Sequence, residues 1–334
     1  MGQGFFLKRW TAISGSVFLL GILWPLSGVG GAAEKIRFIS WSSPRVEQAN
    51  FFVAQEKGYF KKEGVDFEYR PGRGSGNAMK QILAGNGDVA FVGPEAVFLA
   101  GYQGAKVNAF YNTYPQNIFE VIYHGNLGIR SVKDLRGKKI GVFSLGSGGR
   151  YNLTTLLHLN GVKETEVVLV PTFANPGPFL QRKIDAWVSI TPSTWAMRQK
   201  GLLKKAGSYL IKDYLNLPTD VFAATSRVFQ DRRGALLSFL RAFRRGTEFM
   251  IQNPEEATAI SKKYVLKMRN PQLAGGIIRM FGVVSQSDLT RKKGLGWFDM
   301  ALLERAEKLF RETGILKGKV DVRAHFTNAL VEKL

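Results

Sequence analysis

An internal repeat constrains this chain more than any other feature. Ile36-Arg37-Phe38-Ile39-Ser40-Trp41-Ser42-Ser43 reads as a strand running into a polar turn. Roughly 100 residues later, Lys139-Ile140-Gly141-Val142-Phe143-Ser144-Leu145-Gly146-Ser147 reads the same way. A helical stretch follows each: Val46 to Lys57 in the first copy, and Arg150 to Leu159 in the second, with Leu153, Leu156 and Leu157 at helical spacing. Each helix gives way to a glycine and a new strand. Gly64-Val65-Asp66-Phe67-Glu68-Tyr69 is matched by Gly161-Val162 and then Val167-Val168-Leu169-Val170. A third pair corresponds as well, Ile82-Leu83-Ala84-Gly85-Asn86-Gly87-Asp88-Val89-Ala90-Phe91-Val92 with Phe179-Leu180-Gln181-Arg182-Lys183-Ile184-Asp185-Ala186-Trp187-Val188-Ser189. Both end in a short turn and a proline, Pro94 and Pro192.

Alternating strands and helices imply βαβ units and a mostly parallel sheet. Two copies imply an α/β protein of two lobes, each a mostly parallel sheet flanked by helices. Such sheets bind ligands beyond the carboxyl ends of their strands, so facing lobes share one cleft. Phe119-Glu120-Val121-Ile122-Tyr123 and Asp220-Val221-Phe222-Ala223-Ala224-Thr225 bracket the second copy and are expected as two hinge strands. Lobe one is thus expected over 34–124 plus 226–334, and lobe two over 125–225. Beyond Ser226 the pattern is helical. Ala235 to Gln252 carries Leu236, Leu237, Phe239, Leu240, Phe243, Phe249 and Met250, and Trp297 to Thr313 repeats the spacing.

Residues 1–33 read as an export signal. Lys8 and Arg9 precede the uncharged apolar stretch Trp10 to Trp24, and Gly31-Ala32-Ala33 offers a cleavage site between Ala33 and Glu34. The apolar stretch is short for a membrane span, which needs about 20 residues; an uncleaved anchor is the alternative. The chain of 334 residues has no cysteine, which excludes disulfides, thiolate metal sites, cysteine nucleophiles and a lipid-bearing cysteine. A soluble periplasmic protein is expected. The formal net charge of +21 reads as a well-solvated basic surface, or as steering of an anionic ligand. No nucleic-acid motif accompanies it, so no nucleic-acid partner is expected. The histidines His124, His158 and His325 lack metal-ligand spacing, and neither metal nor cofactor is expected.

Several segments resemble the substrate-binding proteins of ABC importers for thiamine-precursor pyrimidines, alkanesulfonates, taurine and nitrate. They are Ala54-Gln55-Glu56-Lys57-Gly58-Tyr59-Phe60-Lys61-Lys62-Glu63-Gly64-Val65, Ala84-Gly85-Asn86-Gly87-Asp88-Val89, Asp134-Leu135-Arg136-Gly137-Lys138-Lys139-Ile140-Gly141-Val142, Ile184-Asp185-Ala186 and Asn253-Pro254-Glu255-Glu256-Ala257. The resemblance spans nearly the whole mature chain in order. It implies the periplasmic-binding-protein fold and a small ligand trapped by lobe closure. It also implies a permease partner in the inner membrane and a monomer. Two departures stand out: Arg182 replaces the usual glycine before Ile-Asp-Ala, and Ile190-Thr191-Pro192 replaces a common Glu-Pro pair. A fungal branch of the same family makes the thiamine pyrimidine and carries a cysteine-rich motif, which is absent here. A ligand sensor signalling to a membrane kinase is a third reading.

Candidate ligand contacts sit at strand ends and helix starts. Trp41 can stack on a planar ligand, or serve as core. Ser42 and Ser43 open the first helix, as caps or as contacts. Ser75 lies in the glycine-rich turn Arg70 to Asn77, and Gly93 and Pro94 start another helix. In the second lobe, Ser147 and Gly148 lie in a glycine run that is expected as an anion cradle, though it lacks the ending of a P-loop. Arg150 is expected either to add a cation for a carboxylate, sulfonate or phosphate or to face solvent from its helix. Thr191 is expected to face the cleft. Of the aromatic residues Tyr111, Tyr114, Phe173 and Trp195, Tyr111 and Trp195 are retained as contacts, with core packing as the alternative for each. The ligand is left between a stacked heteroaromatic and an oxyanion, and the positive charge leans slightly to the anion.

Overall fold

The structure, a computed structural model, describes Met1 and residues 32–265 and 270–334. The expected export signal, apart from Met1, Ala32 and Ala33, lies outside the described residues. Among the described residues, no helix is long and apolar enough to cross a membrane.

The first pass of the chain forms β1 (Glu34–Ile39), α1 (Ala49–Glu56), α2 (Tyr59–Lys62), β2 (Val65–Arg70), α3 (Ser75–Leu83), β3 (Val89–Val92), α4 (Pro94–Tyr102) and β4 (Val107–Tyr114). The second forms β5 (Phe119–His124), β6 (Lys139–Val142), α5 (Gly148–Leu159), β7 (Val168–Pro171), α6 (Gly177–Leu180), β8 (Ala186–Ile190), α7 (Thr191–Gln199) and β9 (Ala206–Leu210). The chain then returns through β10 (Asp220–Thr225) and α8 (Ser226–Asp231), α9 (Arg233–Gln252), α10 (Pro254–Tyr264), α11 (Pro271–Val284), α12 (Asp288–Lys293), α13 (Met300–Glu312) and α14 (Val322–His325).

Two five-stranded sheets result, in the orders β2-β1-β3-β10-β4 and β7-β6-β8-β5-β9. The repeat survives as topology, with β1, β2 and β3 answering to β6, β7 and β8. In each sheet one strand runs against the rest, β10 in the first and β5 in the second. That strand is supplied by the segment that has just crossed from the other lobe. The expected hinge strands therefore exist, but each is a full member of the sheet it enters. The expected boundaries shift accordingly. Phe119–His124 joins the second lobe, Asp220–Thr225 joins the first, and the crossings fall at residues 115–118 and 211–219.

The first lobe is built on phenylalanine. Phe38 of β1 has the rings of Phe51, Phe67, Phe91, Phe222 and Phe239 within 6.0 Å, centroid to centroid. Large aromatic side chains dominate core energetics, and tilted or edge-on pairs add to area burial. The long helix α9 turns Leu236, Phe239, Leu240 and Phe243 into this core. Its opposite face carries Arg241, bonded to Glu63, and Arg245, which covers the Tyr59 ring.

The paired aspartates of the repeat have a shared structural task. Asp88 Oδ2 accepts the Arg37 backbone N–H at 2.8 Å, and Asp185 Oδ2 accepts that of Lys139 at 2.7 Å. Each locks the start of β3 or β8 to the neighbouring β1 or β6. Asp88 also takes the guanidinium groups of Arg37 and Arg232 at 2.9 and 3.0 Å. Burial alone would raise its carboxyl, and the bonds from Arg37 outweigh that and hold it below its ordinary value.

Arg182 stands at a turn position that the first copy of the repeat fills with a glycine. Its φ is +56°, in the left-handed region, as is its counterpart Gly85 at +78°. A side chain there costs about 1–2 kcal/mol, partly offset by the smaller entropy that a non-glycine residue loses on folding. Among the described residues its side chain makes one hydrogen bond, an exposed one to Asn126. Arg182→Gly is expected to raise stability by roughly 0.5–1 kcal/mol in urea unfolding, and Arg182→Val to lower it by about 1 kcal/mol.

Candidate ligand-binding cleft

Both lobes belong to one unit, Ala33–Leu334, and they meet around a cavity of about 670 Å³. The first lobe contributes Trp41 at the end of β1, the turn Ser43 to Gln48, Gly74 and Ser75 before and at the start of α3, Phe91, and Tyr114. The second lobe answers with Phe143 after β6, Ser147 to Gly149 at the start of α5, Ala174, and Trp187 to Ile190 on β8. The walls are mainly aromatic and aliphatic. Carboxyl ends of the central strands lie at the cleft in both lobes, as open α/β sheets require.

The lobes are in contact, so the cavity is closed on that side. The N–H of Gly76 donates to the Gly146 carbonyl at 3.1 Å across the cleft. Trp41 meets Phe143 edge to face, with centroids 5.9 Å apart. Ser193 Oγ donates to Glu47 Oε1 at 3.4 Å. At the far side Trp195 lies on Gly276 of α11, where an added Cβ would sit 2.0 Å from the indole. At Gly74, with φ +95°, a Cβ would meet Ser144 Oγ at 2.7 Å. Those two positions permit the approach because they lack a side chain.

The expected contacts separate into two groups. Trp41, Ser43, Ser75, Ser147 and Gly148 line the cavity. Within that group Ser75 is partly committed, since its Oγ accepts the Gly93 N–H at 3.0 Å, and Ser147 Oγ donates to the Ser144 carbonyl at 2.6 Å. The others lie elsewhere for identifiable reasons. Ser42 is buried and turns its hydroxyl to the Ser43 carbonyl. Gly93 and Pro94 are covered by the Glu95 carboxyl and helix packing. Tyr111 is a core residue stacked on Phe222. Thr191 donates its N–H and hydroxyl to the Ile118 carbonyl. Trp195 is a lobe-to-lobe contact, not a lining residue. Arg150 is a correction of chemistry as well as of place. Its guanidinium binds Glu164 through Nη2 at 2.6 Å and Nε at 3.0 Å, and Nη1 donates to the Leu145 carbonyl.

Three residues that sequence reasoning did not select shape the site. Tyr114, set aside in favour of Tyr111, lines the cavity and donates its hydroxyl to the Glu47 carbonyl at 2.8 Å. Asp220 opens β10 and faces the cavity. Burial pushes its carboxyl up to about 7, against the pull of the Trp41 indole. The Trp41 Nε1 that faces it is buried and makes no hydrogen bond of ordinary geometry. Glu95, in the first turn of α4, is fully buried against the first turn of α5: a Cβ on Gly148 would lie 2.9 Å from its Oε1. That oxygen has no hydrogen-bond partner among the described residues. Burial raises the Glu95 carboxyl to about 8, helped by the charge of Asp220.

Raised carboxyls impose a sign on the pH dependence. A group whose folded value exceeds its unfolded one supports the fold while protonated, and that support fades as pH rises through the folded value. For Glu95 the window runs from its ordinary range up to about 8. Glu95→Gln keeps the neutral shape. The variant is expected to melt with wild type at pH 5 and several degrees above it at pH 9. Melting curves that stay parallel over that range would contradict the assignment.

Sequence and structure comparisons bear on this geometry. The family model described as NMT1/THI5 like matches residues 46–257, more than half of the chain. The riboflavin-binding protein RibY of Chloroflexus aurantiacus is 26% identical over 297 residues, covering 86% of this chain and 83% of the relative. The yeast 4-amino-5-hydroxymethyl-2-methylpyrimidine phosphate synthase THI5 is 22% identical over 239 residues, covering 68% and 70% of the two chains. The alkanesulfonate-binding protein SsuA from Xanthomonas axonopodis pv. citri, solved bound to MOPS, superposes with a TM-score of 0.67 at 14% identity. That match covers 89% of this chain and 98% of the other, and it shows a shared fold.

Proposed function

The chain belongs to the NMT1/THI5-like family, and on that premise we propose that it is the periplasmic solute-binding component of an ABC importer. It captures a small planar organic ligand by closure of its two lobes and presents the closed form to a membrane permease. One observation carries the reading: the cavity is walled by aromatic side chains from both lobes, so the site is complete only when they meet. Its volume falls in the range of small-molecule pockets, roughly 300–1,000 Å³.

Binding rather than catalysis is supported by how the reactive side chains are used. His124 stacks on Phe179 at 4.1 Å, and His325 bonds the Val107 carbonyl through Nδ1. Neither lines the cleft, and the chain has no cysteine.

Relatives suggest the first ligands to test: riboflavin, the hydroxymethyl aminopyrimidine, and a sulfonate such as MOPS. A ligand that binds only the folded protein raises its melting temperature, by about 2.7 kcal/mol of stabilisation at a hundredfold excess over Kd. At least one compound of this panel is expected to do so. Gly276→Val places methyl groups where Trp195 must sit, and is expected to reduce that ligand-dependent rise while leaving the unliganded protein folded. Failure of the whole panel with folded wild type would count against the reading. An undiminished rise in the variant would detach ligand binding from this lobe contact.

A further inference from the structure

The charged groups at the cleft are arranged in a way that its aromatic walls do not require. The cavity is lined by Arg45, Glu47 and Asp220 as its charged residues, among the described residues. Arg45 is already spent on Glu47, with Nη2 at 3.2 Å and Nε at 3.3 Å from the same oxygen. Asp220 has no cation beside it in the cavity wall. Its side chain is more than nine-tenths buried, and no described hydrogen bond reaches its carboxyl with ordinary geometry; the Trp41 indole is the donor that faces it. Buried polar groups are nearly always paired, so a buried carboxyl aimed into a ligand-sized cavity points to a donor on the ligand.

Position makes Asp220 a fixed group. The preceding Thr219 donates its N–H to the Tyr114 carbonyl at 2.8 Å and its hydroxyl to the Gln116 carbonyl at 2.7 Å, and accepts the Ile118 N–H at 3.2 Å. A register shift between Asp220 and Val221 breaks the ladder with β4 at that point, and such bulges re-aim side chains. β10 runs against its neighbours, so its first residue lies at the carboxyl end of β3, at the cleft.

The groups that would welcome an anion are used elsewhere. Arg150 is held by Glu164. The first turn of α5, which presents backbone N–H groups to the cleft, has the Glu95 carboxyl against it at Gly148.

We propose that Asp220 is the specificity-determining acceptor of this cleft, taking a hydrogen bond from an N–H or ammonium-type donor on a planar ligand and disfavouring oxyanions such as sulfonates. The inference rests on the cleft being the ligand site and names the ligand class that site takes. The aromatic walls supply affinity for a flat ring, and Asp220 fixes which edge of it points inward. Ionised Asp220 repels a sulfonate, while a neutral Asp220 leaves it no counter-charge among the described lining residues except Arg45, which Glu47 already holds.

The test is calorimetric titration of wild type and Asp220→Asn with riboflavin, 4-amino-5-hydroxymethyl-2-methylpyrimidine and MOPS. The first two carry N–H donors on planar rings, and the titrations are run above the pKa of the morpholine nitrogen, where MOPS is an anion without an N–H donor. Wild type is expected to bind at least one donor ligand more tightly than MOPS. Asp220→Asn is expected to weaken that donor about 10- to 100-fold, the usual worth of a hydrogen bond to a charged group, and to leave MOPS unchanged or improved. Tighter binding of MOPS by wild type overturns the inference, as does equal donor affinity in a folded Asp220→Asn. Either result leaves the solute-binding reading intact. Should the variant fail to fold, the wild-type order of affinities decides alone. If no probe binds folded wild type, the solute-binding reading fails and the inference falls with it.

Discussion

The contact of two glycine-rich turns across the cleft is what the rest of the site depends on. Gly76 and Gly146 share a backbone hydrogen bond, and Gly74 leaves room for Ser144 beside it. Without that approach, Trp41 and Phe143 would face solvent rather than each other, and the cavity would have one wall. Trp195 on Gly276 makes the second point of contact, on the opposite side of the cavity. Two contacts, one on each flank, fix the relative orientation of the lobes more firmly than either could. Gly74 and Gly276 are the two positions where that approach leaves no room for a side chain.

Charge is distributed against expectation. A net charge of +21 suggested a site that favours anions. Arg150, the arginine expected in that role, is instead matched to Glu164, and Arg45 and Arg198 are likewise taken by Glu47 and the buried Glu120. Surface charge steers encounter over a distance set by salt, about 8–10 Å, and says little about the inside of a pocket. Among the described residues the interior carries two acid groups without a cation beside them, and burial raises the carboxyl of Glu95 to about 8 and that of Asp220 to about 7.

Much of the architecture was legible because it is written in local periodicity. The strand, helix and strand of each repeat follow from spacing, and so does the pairing of Asp88 with Asp185. Legibility stopped where strands change direction. The rule that ligands meet the carboxyl ends of parallel strands located Trp41 and Ser147. The same rule hid Asp220, because an antiparallel strand brings its first residue to that edge. Tyr111 and Tyr114 lie on one strand and differ in place by a register that only the sheet reveals. Arg150 was misread because its partner, Glu164, lies beyond the far end of its helix and returns by a turn. Glu95 sits in the first turn of its helix, the ordinary place for a carboxylate, and its approach to a helix of the other lobe has no local signature.

Closure of the lobes draws on few interactions, and that is what makes it responsive. Among the described residues, the cleft is crossed by the Gly76–Gly146 backbone hydrogen bond, a long bond from Ser193 to Glu47, the edge-to-face pair of Trp41 and Phe143, the seat of Trp195 on Gly276 and Glu95 against Gly148. A hydrogen bond adds about 1 kcal/mol net and an aromatic pair about 0.5–1.5 kcal/mol. Against these stand the entropy of fixing two lobes and the desolvation of Glu95 and Asp220. A ligand that touches both lobes binds the closed form alone, and a ligand shifts an equilibrium by as much as its affinities for the two states differ. A donor that satisfies Asp220 adds to that difference twice. It gains a charge-assisted bond, and it removes the cost of enclosing an unpaired acid, which the open form does not bear.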